Sequence, residues 1–516
     1  MVAVLSMFAQ VSTVAFEGID AKQVDVQVLL APGLPAFSIV GLPDKSVGES
    51  RERVRAALTA IGLGLPAKRI TVNLAPADMP KEGTHYDLPI ALGVMAAAGA
   101  IAPETLQDFI IIGELGLDGG LGPIAGALPA ALGASGLEKG LICPAACGPE
   151  AAWASASMPI VAPSHLVALV NHLKGSALIP QPKPHLDQSA ETGPDLKDVR
   201  GQESAKRALE VAAAGGHHMI MIGPPGAGKS MLAQRLPSIL PPLGPQELLE
   251  VAMIQSVAGV IVNGALTSNR PFRMPHHSAS MAALVGGGAR PKPGEVALAH
   301  HGVLFLDEFA EFPPYVLDAL RQPIETGETV IARVNHRIRY PSRFQLIAAM
   351  NPCRCGHAWT PGATCRHGPR CEESYKARIS GPLWDRLDIQ IAVAPVKVTD
   401  LALPPARETS ADVAKRVASA RSVQARRYSM IGNDVVTANA RCPAALLEEF
   451  CALSQEGLRL LEQAANSDGL SARGYHRTLR LARTIADLDA SAQVHAIHVA
   501  EALSLRGCGF ASRRAA

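Results

Sequence analysis

One segment of the chain has the pattern of a loop that binds phosphate groups. The run HHMIMIGPPGAGKSMLAQRL reads as an apolar strand, a glycine-rich turn and the start of a helix. The turn fits the P-loop pattern, in which backbone N–H groups and a helix N-terminus converge on phosphate oxygens. Lys229 is expected to reach the β- and γ-phosphates of a nucleotide, and Ser230 to bind Mg²⁺. The predicted nucleotide-binding residues are Gly223, Pro224, Pro225, Gly226, Ala227, Gly228, Lys229 and Ser230.

Two further apolar runs end in polar residues that suit nucleotide hydrolysis. HGVLFLDEF predicts a buried strand followed by Asp307 and Glu308, and RFQLIAAMNP predicts a strand that ends at Asn351. Asp307 would hold Mg²⁺ through water, Glu308 would polarise the attacking water, and Asn351 would orient it. An exposed acidic pair and a turn asparagine are the structural alternative. The order of the motifs along the chain favours the hydrolysis of ATP with Mg²⁺.

A cluster of cysteines follows Asn351 in NPCRCGHAWTPGATCRHGPRCEESYK. Its members are Cys353, Cys355, Cys365 and Cys371. Four thiolates so close in sequence suit tetrahedral Zn²⁺, and His357 or His367 could replace Cys365 or Cys371. The spacing is not the commonest one for zinc ribbons, and free thiols in a loop are the alternative. The pattern favours zinc.

The elements that must position these residues fall into three blocks. Residues 1–174 alternate predicted strands (24–30, 69–74, 109–113) with predicted helices (46–61, 88–98, 125–134), which indicates a mixed α/β domain. Residues 175–194 are rich in Pro, Ser and Gln and predict a linker. A second α/β block spans 195–395 and contains the cysteine-rich insert at 353–371. The block 396–516 is predicted to be helical, with helices at 409–427, 443–466, 472–490 and 494–505.

The composition limits the possible partners and compartments. The formal net charge is only +2, so a site for a polyanion must be local, and aromatic residues make up only 4% of the chain, which disfavours broad base-stacking platforms. No apolar run reaches the roughly 18 residues that a membrane span needs. The first residues lack a basic leader, and the cysteines are clustered. These features predict a cytoplasmic protein with no membrane partner.

The motifs resemble those of a known family. GPPGAGKS, GVLFLDE, AAMNP, SGPLWDRLDI and SARGYHRTLRLAR are similar to the AAA+ branch that contains magnesium-chelatase ATPase subunits and MCM helicases. VGLPDKSVGESRERVRAAL and NLAPADMPKEGTHYDLPIALGVMAA extend the resemblance to the YifB/ComM family over essentially the whole chain. The resemblance implies an AAA+ P-loop core, a C-terminal helical lid and a hexameric, ATP-driven DNA helicase that promotes branch migration during natural transformation.

The resemblance also implies roles for two arginines. Arg386 in WDRLDI matches the arginine finger, which reaches the γ-phosphate bound by a neighbouring subunit. An ion pair with Asp385 or Asp388 is the alternative for this residue. Arg473 in SARGYHRTLR matches the sensor-2 arginine of the helical lid.

The first block resembles the Lon protease domain. Lon places its nucleophilic serine in a Gly-Pro-Ser-Ala-Gly turn, but this chain has GTHYD at 83–87, with His85 nearest the serine's place. The later run GPIAGALPAALGA has no lysine where the partner of that serine should lie. Because both members of the catalytic dyad are missing, proteolysis is not expected. The domain is interpreted as a structural or DNA-engaging appendage.

Two inserts are candidates for DNA contact. PFRMPHHSASMAALVGGGARPKPGE carries glycines and basic residues, and TVIARVNHRIRYPSRF alternates as a hairpin. The hairpin arginines Arg333, Arg337 and Arg339 surround its tip. The resemblance implies that both inserts face a central pore, where arginines could grip phosphates without reading sequence. Solvated or paired surface arginines are the alternative.

Two other functions are alternatives to the DNA motor. One is a magnesium-chelatase-type ATPase subunit that acts on a tetrapyrrole, and the other is a regulatory AAA+ remodeller without DNA activity. The Lon-like first block argues against the chelatase subunit, which is expected to lack it.

Overall fold

The computed structural model describes residues 7–187, 193–288, 292–332, 337–356, 359, 365, 370–395, 408–430, 436–467 and 470–507. Arg333, His357 and His367 lie outside these ranges. Three parts follow one another along the chain: a mixed α/β domain, a parallel-sheet core and a helical C-terminal part. Within the described residues, no helix is both long and apolar enough to cross a membrane.

The N-terminal domain is built on one seven-stranded sheet. Its strands, in spatial order, are Ala36–Val40, Arg69–Ala75, Asp20–Ala31, Met7–Glu17, Phe109–Ile111, Gly140–Ile142 and Ile160–Val161. Its principal helices are Lys45–Ala60, Asp87–Ala97, Ala127–Gly136 and Leu166–Leu173. All six predicted elements are present within a few residues of their expected bounds. Met7–Glu17 is an additional strand whose middle is buried on both faces, which removes the polar alternation that signals a strand.

The central domain contains a five-stranded sheet in which every pairing is parallel. Its strands, in spatial order, are Phe272–Arg273, Val303–Leu306, Gln345–Met350, Met219–Ile222 and Ile389–Ala392. Successive side chains of a strand point to opposite faces, so Met219 and Met221 enter one hydrophobic cluster while Ile220 and Ile222 enter another. Burial on both faces explains why these strands read as continuous apolar runs.

The central domain also contains several helices and short hairpins outside its sheet. Its longer helices are Glu203–Gly215 and Pro245–Ala258, and the shorter ones include Lys229–Ala233, Met281–Val285, Glu295–Leu298, Pro314–Asp318, Arg321–Thr326, Arg370–Lys376 and Gly381–Trp384. Glu328–Ala332 and Arg337–Pro341 pair as the predicted antiparallel hairpin.

The C-terminal part is helical, as predicted. Its helices are Ser410–Ser429, Ala444–Phe450, Gln455–Ser467, Ala472–Leu488 and Ala496–Leu505. The single helix predicted over 443–466 was wrong, because the chain breaks into two helices. Between them, the backbone around Ser454 bonds to Val494, and the Ser454 hydroxyl accepts the Gly457 N–H at 3.1 Å. These bonds stop one helix and cap the next.

The predicted linker at 175–194 is attached to both neighbouring domains over its described residues. The Gln181 side chain bonds to backbone atoms of Ile160 and Met158 in the N-terminal domain. His185–Asp187 then forms a parallel strand pair with Ala265–Thr267 of the central domain. The composition predicted a break between domains, but the tertiary contacts hold this segment in place.

A buried ion pair joins the lid to the core. Asp388 is 4% exposed and lies 2.5 Å from the Arg477 guanidinium on Ala472–Leu488. It also accepts the His218 backbone N–H at 3.1 Å. Burial acts to raise the pKa of the Asp388 carboxyl, but Arg477, His217 and His218 outweigh burial and hold that pKa well below its usual range.

We expect Asp388→Asn to lower the thermal unfolding midpoint at pH 6, because breaking one side of a buried pair costs about 3–5 kcal/mol. The folded pKa is depressed, so the carboxylate stabilises the fold fully above its unfolded pKa of about 4 and loses this effect as the pH falls below it. The deficit of the variant should therefore shrink at pH 3. Asp108→Asn, at an exposed position, is the control. A deficit that is the same at both pH values would contradict this role of the ion pair.

Candidate functional site

Three parallel strands deliver the predicted nucleotide-site residues to one edge of the central sheet. The phosphate loop follows Met219–Ile222, the acidic pair follows Val303–Leu306, and Asn351 follows Gln345–Met350. These strands are neighbours in the sheet and run in the same direction. Their carboxyl ends therefore meet, which is where ligands bind in open α/β sheets.

Lys229 connects two of the motifs directly. Its ammonium is buried and donates to the Gly223 and Pro224 carbonyls at 2.8 and 2.9 Å, and to Asn351 Oδ1 at 3.1 Å. Burial lowers the pKa of Lys229, and the carboxylates of Asp307 and Glu308 oppose this effect. The predicted phosphate lysine and the predicted water-orienting asparagine thus share one site.

Ser230 and Asp307 form the pair that could hold Mg²⁺. The Ser230 hydroxyl donates to Asp307 Oδ2 at 2.5 Å, and Asp307 Oδ1 accepts the Glu308 backbone N–H at 2.8 Å. A hydroxyl beside a carboxylate is an all-oxygen donor set of the kind that Mg²⁺ binds together with nucleotide phosphates.

The glycines of the loop are required for more than one reason. Gly226 and Gly228 have φ of +75° and +81°, in the left-handed region that favours glycine. At Gly223 a Cβ atom would lie only 2.2 Å from the carbonyl oxygen of Val393, which directly follows the neighbouring strand Ile389–Ala392. The first glycine therefore allows the close approach of a neighbouring chain segment, a requirement that the motif alone does not reveal.

Glu308 has a partner that the sequence analysis missed. Its carboxylate lies 3.0 Å from His277 Nδ1, which belongs to the insert that was interpreted through its arginines and glycines. Glu308 itself is exposed and has a φ of 50°, an unusual backbone conformation for a residue other than glycine. The strained backbone and the histidine together set the direction of this carboxylate. The adjacent His276–His277 in the insert were the only available signal.

Gln202 is a second residue that the motifs did not identify. Its amide Nε2 donates to the Ala227 carbonyl in the phosphate loop, and it lies 3.4 Å from the Ala394 carbonyl. Gln202 has a φ of 58° and immediately precedes the helix Glu203–Gly215. It therefore joins the phosphate loop to the end of the central sheet.

Arg386 has an ion-pair partner that differs from those considered in the sequence. It is 6% exposed and pairs with Glu325 of the same chain, whereas Asp388 pairs with Arg477. Arg386 Nε is buried and has no hydrogen-bond partner among the described atoms. Arg477 also donates to the Arg386 carbonyl at 2.8 Å, so the lid supports the backbone that carries this arginine.

Arg473 lies one helical turn before Arg477 on Ala472–Leu488 and is exposed. Residues four apart share a face of a helix, so Arg473 projects on the side of the lid that holds the Arg386 segment. Its role as a sensor remains a prediction.

The four predicted cysteines come together. Their Sγ atoms all lie within 4.8 Å of one another, with 3.2 Å between Cys353 and Cys355 and 3.3 Å between Cys355 and Cys365. Cys353 and Cys371 are buried. Four thiolates at about 2.3 Å from a tetrahedral zinc ion would be about 3.8 Å apart, so this cluster could hold Zn²⁺. It also adjoins the phosphate loop, since a Cβ at Gly356 would lie 2.8 Å from Pro225 Cγ.

The basic hairpin presents two of its three predicted arginines to solvent. Arg337 and Arg339 are exposed on Arg337–Pro341, while Ile338 between them packs in a cluster with Ile19 of the N-terminal domain. Alternation along the strand separates the arginine face from the packed face. Arg333 lies outside the described residues.

His85, which the sequence resemblance matched to the place of a nucleophilic serine, is buried. His85 Nε2 lies 2.9 Å from the Val14 carbonyl, and burial lowers the pKa of this imidazole to about 4. Nearby, Arg53 makes a two-point ion pair with buried Asp87, with N···O distances of 2.6 and 3.0 Å. This part of the domain holds hydrogen-bonded packing between the helices Lys45–Ala60 and Asp87–Ala97.

Family models match most of the chain. A model described as magnesium chelatase, subunit ChlI, matches residues 195–401, and one for the ChlI C-terminal region matches 407–506. A third, described as subunit ChlI of Mg-chelatase, matches residues 26–147. The first block therefore does not separate this chain from proteins described as chelatase subunits, contrary to the expectation from the sequence.

Full-length relatives extend the comparison. The chain is 44% identical over 495 residues to competence protein ComM of Haemophilus influenzae, which covers 95% of each chain. It is 42% identical to the protein YifB of Escherichia coli over 96% of each chain. By contrast, the magnesium-chelatase 38 kDa subunit of Cereibacter sphaeroides is 27% identical over 30% of this chain and 51% of its own.

Proposed function

The chain belongs to the YifB/ComM family of magnesium-chelatase-like AAA+ proteins, and we propose that it is an ATP-hydrolysing motor that acts on DNA as a hexameric ring. Its proposed activity is branch migration that supports recombination during natural transformation. The observation that carries the ATPase is the convergence of Lys229, the Ser230–Asp307 pair, Glu308 and Asn351 at one sheet edge.

In the proposed reaction, each polar group at this edge has one task. Lys229 and the loop N–H groups bind the β- and γ-phosphates, and Ser230 with Asp307 holds Mg²⁺. Glu308 polarises the attacking water, and Asn351, already bonded to Lys229, orients it against the γ-phosphate. Most of the catalysis is then positioning and electrostatic stabilisation, as expected for phosphoryl transfer.

Two observations support DNA as the substrate of the motor. The full-length relative from Haemophilus influenzae is named a competence protein. The hairpin holds Arg337 and Arg339 on an exposed face while its other face packs on the N-terminal domain. Arginines fixed in this way bind phosphates without reading base sequence. ATP hydrolysis should therefore be stimulated by single-stranded or branched DNA, and this stimulation should fall steeply with salt.

The alternative function is that of a magnesium-chelatase-type ATPase subunit, which the matching family models favour. The same ATP site would serve either role. A regulatory remodeller without DNA activity would also use it. ATPase activity that is insensitive to single-stranded and branched DNA at low salt would favour these alternatives over the DNA motor.

We also propose that the cysteine cluster holds a structural zinc ion. The cluster begins two residues after Asn351, and its Gly356 contacts Pro225 of the phosphate loop. A closed four-thiolate site would fix this loop and thereby support Asn351 and the phosphate loop from one side. Its proposed role is structural, because all four ligand positions would be taken.

Lys229→Ala is expected to abolish ATP hydrolysis and branch migration of a synthetic four-way junction, because it removes the charge-assisted contact with the phosphates. Lys415→Ala, an exposed lysine on the first lid helix, should leave both activities unchanged. If Lys229→Ala still migrated junctions at the wild-type rate, the motor assignment would be wrong. If Lys229→Ala lost ATP hydrolysis but DNA did not stimulate hydrolysis by the wild type, the ATPase assignment would hold and the DNA-motor assignment would not.

Arg386→Ala is expected to lower ATP turnover by about 10³-fold or more if it acts as an arginine finger. Arg386 pairs with Glu325 of its own chain, so a role in trans must be distinguished from a role within the chain. Mixing Arg386→Ala with Lys229→Ala subunits should restore up to about a quarter of the wild-type rate, since some interfaces then combine an intact loop with an intact finger. Arg459→Ala is the control for the first variant. A mixture that stays inactive would show that Arg386 does not act in trans.

The purified protein is expected to contain about one zinc ion per chain, measured by elemental analysis. Cys353→Ser should remove most of it, because Cys353 is the most buried ligand. Cys143→Ser, in the N-terminal domain, should retain full zinc content. Equal zinc in the wild type and in Cys353→Ser would contradict the proposed site.

A further inference from the structure

A cavity lies at the edge of the central sheet opposite the proposed ATP site. It has a volume of about 370 Å³. Gly302 and Gln345 in its wall stand where two central strands begin, whereas Asp307 and Asn351 stand where the same two strands end. The longer of these strands has six residues, which places the two sites roughly 15–20 Å apart. The cavity is therefore separate from the phosphate loop.

The wall of this cavity is rich in arginine. The four arginines are Arg270, Arg343, Arg421 and Arg441. Arg270 and Arg343 belong to the core, and the other two to the lid. Among the described lining residues only Glu247 carries a carboxylate, and His301 has its pKa lowered by burial. The lining thus has a clear excess of positive charge.

The single carboxylate, that of Glu247, already has hydrogen-bonding partners. Glu247 Oε2 lies 2.7 Å from the Arg270 guanidinium and accepts the Gly244 N–H at 3.1 Å. Arg270 also donates to Glu247 Oε1. Arg421 donates to the Ala213 carbonyl through Nε and Nη2. Glu247 therefore compensates one arginine and leaves three.

Two of the remaining guanidinium groups are those of Arg343 in the core and Arg441 in the lid. Within the described part of the chain, the side chains of Arg343 and Arg441 make no hydrogen bond or ion pair, although the backbone of Arg343 is bonded to His300 and His301. Arg343 is half-buried and Arg441 is exposed, so both guanidinium groups are accessible to an anion, and a bound counter-charge would offset their mutual repulsion.

The two lid arginines of the cavity have lowered pKa values. Desolvation in the cavity, reinforced by Arg270 and Arg441, lowers the pKa of Arg421 to about 9. Desolvation and the neighbouring Arg343 and Arg270 lower the pKa of Arg441 to about 10, while Glu247 opposes them. The arginines of core and lid therefore repel one another across the cavity.

We propose that this cavity binds a small phosphate-bearing anion with several negative charges, such as a pyrophosphate or tripolyphosphate group, between core and lid. Arginine is suited to this ligand because its planar fork donates two parallel hydrogen bonds to phosphate oxygens. The volume lies within the range of small-molecule sites, and a lining from both core and lid suits a compact anion better than a continuous nucleic-acid strand. The bound anion bridges Arg343 of the core and Arg441 of the lid and thereby stabilises their junction.

The test uses the full chain carrying Lys229→Ala, which weakens binding of the probe at the phosphate loop. Inorganic tripolyphosphate is titrated by calorimetry at constant ionic strength, and the thermal midpoint is measured with and without it. Adding Arg343→Ala or Arg441→Ala should weaken binding by about tenfold or more, the effect of one charge-assisted hydrogen bond. Arg459→Ala, an exposed arginine on Gln455–Ser467, is the matched control and should not change the affinity.

The stability of the same variants without the probe distinguishes a binding role from a packing role. Removing an uncompensated positive charge should leave the thermal midpoint unchanged or raise it, and the stabilisation by tripolyphosphate should be lost. Equal affinity in all variants, or a lowered midpoint in both arginine variants without the probe, would overturn the proposal. The proposal would also be overturned if tripolyphosphate did not bind but a single-stranded oligonucleotide bound in a way that depends on these arginines.

Discussion

The parallel alignment of three central strands is the constraint on which the site depends. Met219–Ile222, Val303–Leu306 and Gln345–Met350 are neighbours with matched direction, so the phosphate loop, the acidic pair and Asn351 meet at one edge. Each strand is buried on both faces, between the two hydrophobic clusters that cover the sheet. The contact of Lys229 with Asn351 is a direct result of that alignment.

The lid is tied to the core at the segment that carries the candidate arginine finger. Arg477 binds both the Asp388 carboxylate and the Arg386 carbonyl, so the position of Arg386 depends on where the helix Ala472–Leu488 lies. At the other end of the sheet, four arginines of core and lid face one cavity. One core–lid contact is thus an ion pair, and the other carries an excess of like charge.

The accessory segments are packed against the functional elements rather than attached loosely. Gly356 of the cysteine loop contacts Pro225, His277 of the insert contacts Glu308, and Ile338 of the basic hairpin packs with Ile19. A change in the hairpin or the insert can therefore reach the nucleotide site or the N-terminal domain through direct contacts. The contact of His277 with Glu308 gives a direct physical route by which a polymer bound at the insert would affect hydrolysis.

The sequence by itself determined the order of blocks, the central strands and the set of polar residues at the nucleotide site, because continuous apolar runs and a glycine-rich turn are local signals. It also identified the four cysteines that cluster. It did not predict Met7–Glu17, whose burial on both faces removes the strand alternation, or the break near Ser454, which a bond to distant Val494 creates. Only the tertiary structure decided that Arg386 pairs with Glu325, that His277 reaches Glu308 and that arginines from core and lid share one cavity. These pairings join residues far apart in sequence, and no local pattern encodes which of many surface charges the folded chain will bring together.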